Sequence, residues 1–184
     1  PGSITTNKGE HYSVYTYFWK KWRDRAKDDP FPAPDADALA APAAGDLPDA
    51  SLPSLPTLDD LGFDEPEASL PDAGTAAARD RLDDFCEDAI YRYDERRDYP
   101  ADECTSRLSA DLKYGTIGIR EVYWATEDAR ADASEAQLES IEEFQSQLAW
   151  RAFYTHVLWF NPEVVSENYK EYEEEIEWEN DADL

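Results

Sequence analysis

The stretch from residue 28 to residue 78 limits what this chain can fold into more than any other feature. It contains no Lys or Arg, twelve Asp or Glu, and nine of the twelve prolines. Such a composition cannot bury enough apolar surface to offset chain entropy, so we expect an extended connector. The spacing of Leu52, Leu55, Leu58 and Leu61 predicts that this connector lies against a folded surface.

The net charge excludes several classes of function. The sequence holds 43 Asp and Glu against 17 Lys and Arg, a formal charge of −26. This charge repels a polyanion, so any DNA contact must come from a local cluster of arginines. No apolar run approaches the ~20 residues of a membrane span, no segment is typical of a secretory signal, and the two cysteines suit a reducing cytoplasm. We therefore expect a soluble, cytoplasmic protein. Its low lysine content and acidic surface are typical of proteins that function at high salt concentration.

Generic catalytic motifs are absent from the sequence. The two histidines and two cysteines form no HExxH or CxxC spacing, so we predict no metal site. There is no P-loop and no nucleophile elbow. On this basis alone the chain is an acidic helical module.

Hydrophobic spacing predicts helices on both sides of the connector. Residues 10–27 hold five Lys or Arg and a dense aromatic run that ends in a short amphipathic helix, with a possible strand near 12–17. From Thr75, a plausible N-cap, apolar residues recur every three or four positions, which indicates a helix with one buried face. These residues are Leu82, Phe85, Ala89, Ile90 and Tyr93.

The C-terminal half predicts three more helices. Cap-type residues at 105–109 open a short helix that Gly115 can end, and Thr116 could cap the next one. The longest helix runs from about residue 140 to residue 160, and Pro162 ends it. Within it, Gln147, Trp150, Arg151 and Tyr154 have the spacing of residues that share one face.

The 105–109 segment is a candidate phosphate site. Hydroxyl groups and free backbone N–H groups at the positive end of a helix suit an anion, and Arg107 adds a full charge. However, Ser and Thr at such positions often only cap the helix that they precede and bind no ligand. Trp150 and Arg151 also have purely structural interpretations. Trp150 could be an aromatic residue of the core, and Arg151 could form an ion pair on the surface.

Two ordered motifs give the chain a resemblance to a known family. The segment RYDERRDYPADECTSRLSADLKYGTIGIREVY is followed by FQSQLAWRAFYTHVLWFNP. The T-S-R-L-S box, the L-x-Y-G-x-I turn and the W-R-x-F-Y helix at this spacing resemble the photolyase/cryptochrome flavoproteins. The upstream YSVYTYFWKKW is similar to the segment that ends the α/β antenna domain of that family.

The resemblance implies a division of the chain. Residues 1–28 would be the C-terminal end of the antenna domain, 29–76 the interdomain connector, and 77–184 the N-terminal half of the helical FAD-binding domain. The expected fold class is therefore mainly α. Because the resemblance covers only the middle of a family member, we expect a fragment that alone binds little FAD and is inactive.

The resemblance also implies FAD as the cofactor. The implied cofactor-binding residues are Tyr93, Thr105, Ser106, Arg107, Leu108, Ser109, Phe144 and Arg151. The 105–109 group would hold the FAD pyrophosphate at a helix N-terminus. Phe144 falls where the family often packs a Trp on the flavin. Trp178 aligns with the outermost member of the tryptophan chain that passes electrons to the photoexcited flavin, and a second, antenna chromophore is expected in the complete protein.

UV-damaged DNA is the implied partner. The implied contacts are Arg97, Gln147, Trp150, Arg151 and Tyr154. Arg97 matches a phosphate contact, and Trp150 offers a flat surface for a flipped base. Cyclobutane-dimer repairers commonly carry Glu at the position of Gln147, whereas relatives that act on the other pyrimidine photoproduct often carry Gln, so the lesion class stays open. Ala152 replaces the usual carboxylate beside Arg151, which could leave that arginine less well fixed.

These implications predict a function with two alternatives. The first is an FAD-dependent, monomeric DNA photolyase that repairs pyrimidine dimers by light-driven electron transfer to a flipped lesion. A cryptochrome-like blue-light receptor without repair is the second. The third is an acidic interaction module without a cofactor. The concentration of arginines in the proposed region (Arg92, Arg96, Arg97, Arg107 and Arg151) favours contact with DNA.

Overall fold

The computed structural model describes residues 2–35, 56–64, 67–131 and 133–170, and within them the fold is helical without a strand. The α-helices are α1 (Tyr15–Asp24), α2 (Thr75–Glu87), α3 (Tyr93–Arg96), α4 (Ser109–Tyr114), α5 (Ile119–Arg130) and α6 (Glu135–Phe160). Short 3₁₀ turns occupy Asp59–Leu61, Ala89–Arg92 and Pro162–Val165. The prediction of a mainly α fold is confirmed, and no helix of the described part is long and apolar enough to cross a membrane.

The central element is α6, against which α1, α3, α5 and the 3₁₀ turn at 89–92 all pack. It begins with a reciprocal capping box, because Ser134 accepts from the backbone of Gln137 while the Gln137 side chain accepts from the backbone of Ser134 at 2.8 Å. It ends at Phe160, where the Asn161 side chain donates to the carbonyl of Val157 at 2.9 Å. Pro162 follows directly, as the sequence predicted.

The main core lies where α2, α5 and α6 meet. Its fully buried members include Ala78 and Leu82 of α2, Val122 of α5, and Ile141 of α6. Removing these side chains from water supplies about 25 cal/mol per Å² of apolar surface, which stabilises the helix packing. The three-and-four spacing in the sequence therefore marked the buried residues of α2. The single helix that it predicted through Tyr93 is wrong, because α2 ends at Glu87 and a 3₁₀ turn (Ala89–Arg92) separates it from α3.

A second, aromatic cluster joins α1 to α6. Phe18 of α1 is 2% exposed, and its ring centroid lies 5.3 Å from Phe153 and 5.2 Å from His156. The Tyr12 backbone N–H donates to Nε2 of His156 at 3.2 Å. Burial and the neighbouring His11 lower the pKa of His156, so the neutral ring that accepts this hydrogen bond is favoured.

Several local predictions are wrong. Residues 12–17 form no strand, because α1 begins at Tyr15 and turns its aromatic face towards α6. Gly74, with φ of 102°, precedes α2 in place of a Thr75 cap. Gly118 precedes α5, since the Thr116 hydroxyl donates to Asp111. At Thr116 a local side-chain hydrogen bond, five residues back along the chain, thus competes with the capping role that the pattern suggested.

The expected leucine contacts of the connector are also wrong where the structure describes them. Leu58 and Leu61 are 46% and 56% exposed, while Leu52 and Leu55 lie outside the described residues. Its first residues are anchored instead through polar groups. Arg120 of α5 donates to the Asp28 carboxylate at 2.8 Å, and Trp124 donates to the Asp28 carbonyl at 3.1 Å.

Candidate functional site

The predicted phosphate-binding residues lie in a loop that leads into α4. The helix begins at Ser109, its N-cap is Leu108, and no side chain caps it. The prediction that residues 105–109 open the helix is therefore wrong, because only Ser109 belongs to it. Arg107 has φ of 51°, in the left-handed region, and Leu108 follows with φ of −87° and ψ of 8°. A left-handed residue beside a right-handed one turns successive N–H groups towards a common point, the geometry of an anion-binding nest.

The donors of this loop have no protein partners among the described residues. No backbone N–H from residue 105 to residue 109 donates to a carbonyl or a side chain there. The hydroxyls of Thr105, Ser106 and Ser109 likewise make no hydrogen bond within the described part of the chain. Arg107 pairs with Glu103 at 3.2 Å, and both side chains are exposed. Because an exposed ion pair contributes little, Arg107 can exchange Glu103 for another anion at low cost.

A buried ion pair fixes α4 below this loop. The Asp111 carboxylate, 5% exposed, accepts from the Thr116 hydroxyl at 2.7 Å and from Nη2 of Arg81 at 3.0 and 2.9 Å. These hydrogen bonds, that of Thr116 first, lower the pKa of Asp111 below its usual 3.8. Leu108 is fully buried in the core beside them, so the loop has polar and apolar anchors.

Tyr93 and Phe144, the predicted neighbours of the flavin, lie against each other. Their ring centroids are 5.2 Å apart at nearly a right angle, and Phe85 lies 4.7 Å from Phe144. The side chains of Tyr93 and Phe144 are buried, at 8% and 5% exposure, and burial raises the pKa of the Tyr93 hydroxyl. The guanidinium of Arg97 lies 5.7 Å from the Tyr93 ring centroid. The structure thus joins Tyr93, Phe144 and Arg97 in one cluster.

Glu143 connects two of the predicted DNA-contact residues, and the sequence analysis did not identify it. One of its carboxylate oxygens accepts from Nη1 of Arg97 and, at 3.2 Å, from Nε2 of Gln147. The spacing of 143 and 147 on a helix could have suggested the second contact. The first joins α3 to α6, and only the tertiary structure reveals it.

Trp150 is half-buried and stacks on Tyr15 of α1. The two ring centroids are 3.6 Å apart and the planes differ by 9°. The Tyr15 hydroxyl donates to the Ser146 carbonyl at 2.7 Å, which fixes the ring in place. Tyr154, which is 65% exposed, lies 5.6 Å from Trp150 on the same face. Of the predicted face of Gln147, Trp150, Arg151 and Tyr154, the structure joins Trp150 to Tyr154, whereas Arg151 bonds the Leu112 carbonyl of α4. Tyr15 is a neighbour that the aromatic run could have suggested.

Arg151 links α6 to the helix that follows the loop. Its Nη2 donates to the Leu112 carbonyl of α4 at 3.1 Å, so α6 contacts the helix into which the loop leads. In place of the missing carboxylate at Ala152, a backbone oxygen holds the guanidinium. Arg151 also lines an open cavity of about 350 Å³ between α1, α5 and α6, together with Trp22 and Tyr123.

Four of the five arginines in this region already have carboxylate partners. The pairs are Arg92 with Asp88, Arg96 with Asp102, Arg97 with Glu143, and Arg107 with Glu103. These carboxylates offset much of the positive charge that the sequence concentrates in this region. Trp178 lies outside the described residues. Among those residues, no group of three or more potential metal ligands is brought together.

The fold and this site describe a helical domain in which a loop with free anion donors leads into α4, and α4 is linked to α6 through Arg151. A scan against protein-family models gave no match. The deoxyribodipyrimidine photo-lyase of Halobacterium salinarum is 57% identical over 98% of this chain, which spans 37% of that relative. The photo-lyase of a Synechococcus species is 38% identical over 98% of this chain and 38% of its own length.

A solved structure agrees with the sequence comparisons. The bacterial class III photolyase from Agrobacterium tumefaciens superposes with a TM-score of 0.71 and 29% identity, covering 91% of this chain and 34% of that protein. The chain is homologous to deoxyribodipyrimidine photo-lyases over nearly its whole length. It spans slightly more than a third of the length of the relatives it matches.

Proposed function

We propose that the protein carrying this chain is an FAD-dependent deoxyribodipyrimidine photo-lyase that repairs UV-induced pyrimidine dimers. The observation that carries the proposal is 57% identity with the Halobacterium photo-lyase across nearly the whole chain. The relatives reported above are named photo-lyases, which favours repair over a cryptochrome-like receptor or an interaction module without a cofactor. Removal of dimers from irradiated DNA in the light, and not in the dark, is the decisive assay.

The residues present fit FAD. The unpaired N–H groups and hydroxyls of the 105–109 loop suit the pyrophosphate, and Arg107 adds a charge-assisted contact. Tyr93 and Phe144 pack in the same core cluster as Leu108 of the loop and are proposed to adjoin the flavin in the complete protein. When bound and reduced, FAD supplies the light-driven electron that splits the dimer, and the chain supplies positioning and electrostatics. Trp178 is proposed as an electron relay, and a second antenna chromophore is proposed for the complete protein.

The α6 face fits the DNA lesion. Arg97 would exchange Glu143 for a backbone phosphate, while Gln147 bonds a base edge and Trp150 stacks on the flipped lesion. The near-parallel Tyr15 ring supports Trp150 from behind and limits its motion. Tyr154 and Arg151 flank this surface. Because most of the arginines are already paired, stacking would supply more of the affinity than phosphate contacts do, which suits a monomeric cytoplasmic protein in high salt.

Replacing Trp150 by Ala tests the lesion contact. Base–aromatic stacking contributes ~1–3 kcal/mol, so we expect about a 5- to 150-fold weaker Kd for dimer-containing DNA, with unchanged flavin absorbance. Trp159→Ala is the matched control, because Trp159 is 62% exposed further along the same helix. An equal loss on damaged and undamaged DNA would mean that Trp150 only supports the fold.

A further inference from the structure

We propose that Glu143 is a positioning residue that fixes the hydrogen-bonding direction of the Gln147 amide towards the lesion and holds Arg97 beside it. This inference rests on the proposed function, because it concerns how the same surface recognises its base. It assigns a role to a residue that no motif identified.

The geometry around one oxygen carries the argument. Oε1 of Glu143 accepts from both Arg97 and Gln147, which approach it from α3 and from the next turn of α6. Arg97 is held further by its position 5.7 Å from the Tyr93 ring. The three side chains therefore form one unit that spans two helices, with Glu143 in the middle.

The chemistry of the carboxylate determines which way the amide points. An ionised carboxylate only accepts hydrogen bonds, so Gln147 must turn its NH₂ group towards Glu143. The amide oxygen of Gln147 is then left without a hydrogen-bond donor among the described residues. With this orientation Gln147 presents an acceptor, much as a glutamate would, although it carries no charge.

An acceptor at this position selects a base edge that donates. Ring atom N3 of thymine carries a hydrogen and donates, whereas N3 of cytosine accepts. A site that pairs with N3–H rejects an analogue that lacks the donor, because the Gln147 oxygen is then left unpaired. Discrimination at N3 therefore reports the direction in which Glu143 turns the Gln147 amide.

Arg97 gives the same carboxylate a second effect. Any DNA phosphate that reaches Arg97 must compete with Glu143, which lowers the affinity for all DNA. Glu143 thus weakens the sequence-independent binding of DNA phosphates by Arg97. At the same time it orients the Gln147 amide, which contacts the base. Both effects raise the ratio of specific to unspecific binding.

The experiment compares Glu143→Gln with Glu142→Gln in the protein carrying this chain. Glu142 is the adjacent residue, pairs with Arg23 at 2.9 Å, and loses the same charge. Kd is measured for three duplexes: one with a thymine dimer, one with that dimer methylated at N3, and one undamaged. We expect Glu143→Gln to reduce the preference for the unmethylated over the N3-methylated dimer by about 2- to 10-fold, the size of one neutral hydrogen bond, and to tighten binding of undamaged DNA. Glu142→Gln should leave the methyl discrimination unchanged.

A double variant that also lacks the Gln147 amide distinguishes a positioning role of Glu143 from a role in folding. Combined with Gln147→Ala, the Glu143→Gln change should have no further effect on methyl discrimination, and Glu143→Asp should retain part of it. The inference is overturned if the two glutamine variants behave alike, or if Glu143→Gln keeps the full discrimination. If the unmodified protein itself does not distinguish damaged from undamaged DNA, the proposed function fails together with it.

Discussion

The loop before α4 and the outer face of α6 both carry predicted site residues, but they are built in opposite ways. In the loop, the N–H groups and hydroxyls of 105–109 have no protein partner among the described residues. On α6, the polar groups of Glu143 and Gln147 are already bonded to each other and to Arg97. The backbone and hydroxyl donors of the loop can take up an anion without breaking a protein contact, whereas Arg97 beside the helix face must exchange its carboxylate partner for another anion.

The supports below the two regions differ as well. The loop rests on α4, which the buried Arg81–Asp111 pair holds against α2. The α6 helix rests on aromatic rings, with Phe144 packed on Phe85 and Trp150 stacked on Tyr15. Ionic support depends on pH and apolar support does not, so mutation and acid should affect the two regions differently.

The largest expected effect comes from the aromatic support. Phe144→Ala removes a buried ring that contacts Phe85 and Tyr93, and such substitutions cost about 3–5 kcal/mol in free energy of unfolding. Urea unfolding followed by circular dichroism measures the change. Tyr154→Ala, ten residues further along the same helix at an exposed position, should stay within about 0.5 kcal/mol. Similar losses for both variants would contradict the division of α6 into a buried and an exposed face.

An intermediate effect should follow from the ionic support. Asp111→Asn keeps an oxygen for Thr116 but removes the charge opposite Arg81, and we expect a loss of about 1.5–3 kcal/mol at neutral pH. Because the pKa of Asp111 is lowered in the folded state, its contribution is present above its usual value of 3.8 and disappears as the pH falls through the lower folded-state pKa.

The variant should therefore show a smaller loss of stability than the unmodified chain when the pH falls below about 4. Asp88→Asn is the control, because Asp88 pairs with Arg92 on the exposed surface. Unfolding curves from pH 6 to pH 3 test this, and parallel curves for all three proteins would show that the buried pair does not set the acid response.

The smallest effect concerns the end of α4. Gly115 adopts φ of 76°, and nothing lies within 4 Å of a Cβ placed there, so Gly115→Ala should cost only the left-handed conformation, about 1–2 kcal/mol. Gly115→Asn should cost less, since Asn tolerates this region better. Thermal unfolding of both variants measures the difference, and equal losses would point to crowding instead of backbone conformation.

The sequence predicted the elements better than their junctions. The three-residue and four-residue spacing located α2, α5 and α6, and the T-S-R-L-S and W-R-x-F-Y motifs located the two regions of the site. It did not predict that α4 begins only at Ser109, or that Thr116 bonds Asp111 in place of capping α5. The Asp111 carboxylate that binds Thr116 is itself held by Arg81 of α2, thirty residues earlier, and the local sequence does not show this pairing.

The amino-acid sequence by itself determined the helical periodicity, the acidic surface and the family motifs, because these are local patterns of side chains. Only the tertiary structure decided which groups are neutralised and which are free. The carboxylate of Glu143 meets Arg97 from another helix, and Tyr15 reaches Trp150 from a helix more than a hundred residues earlier. Hydrogen bonds and ring contacts of this kind act over a few ångströms, so they form only once the packing of α1, α3 and α6 has set the distances.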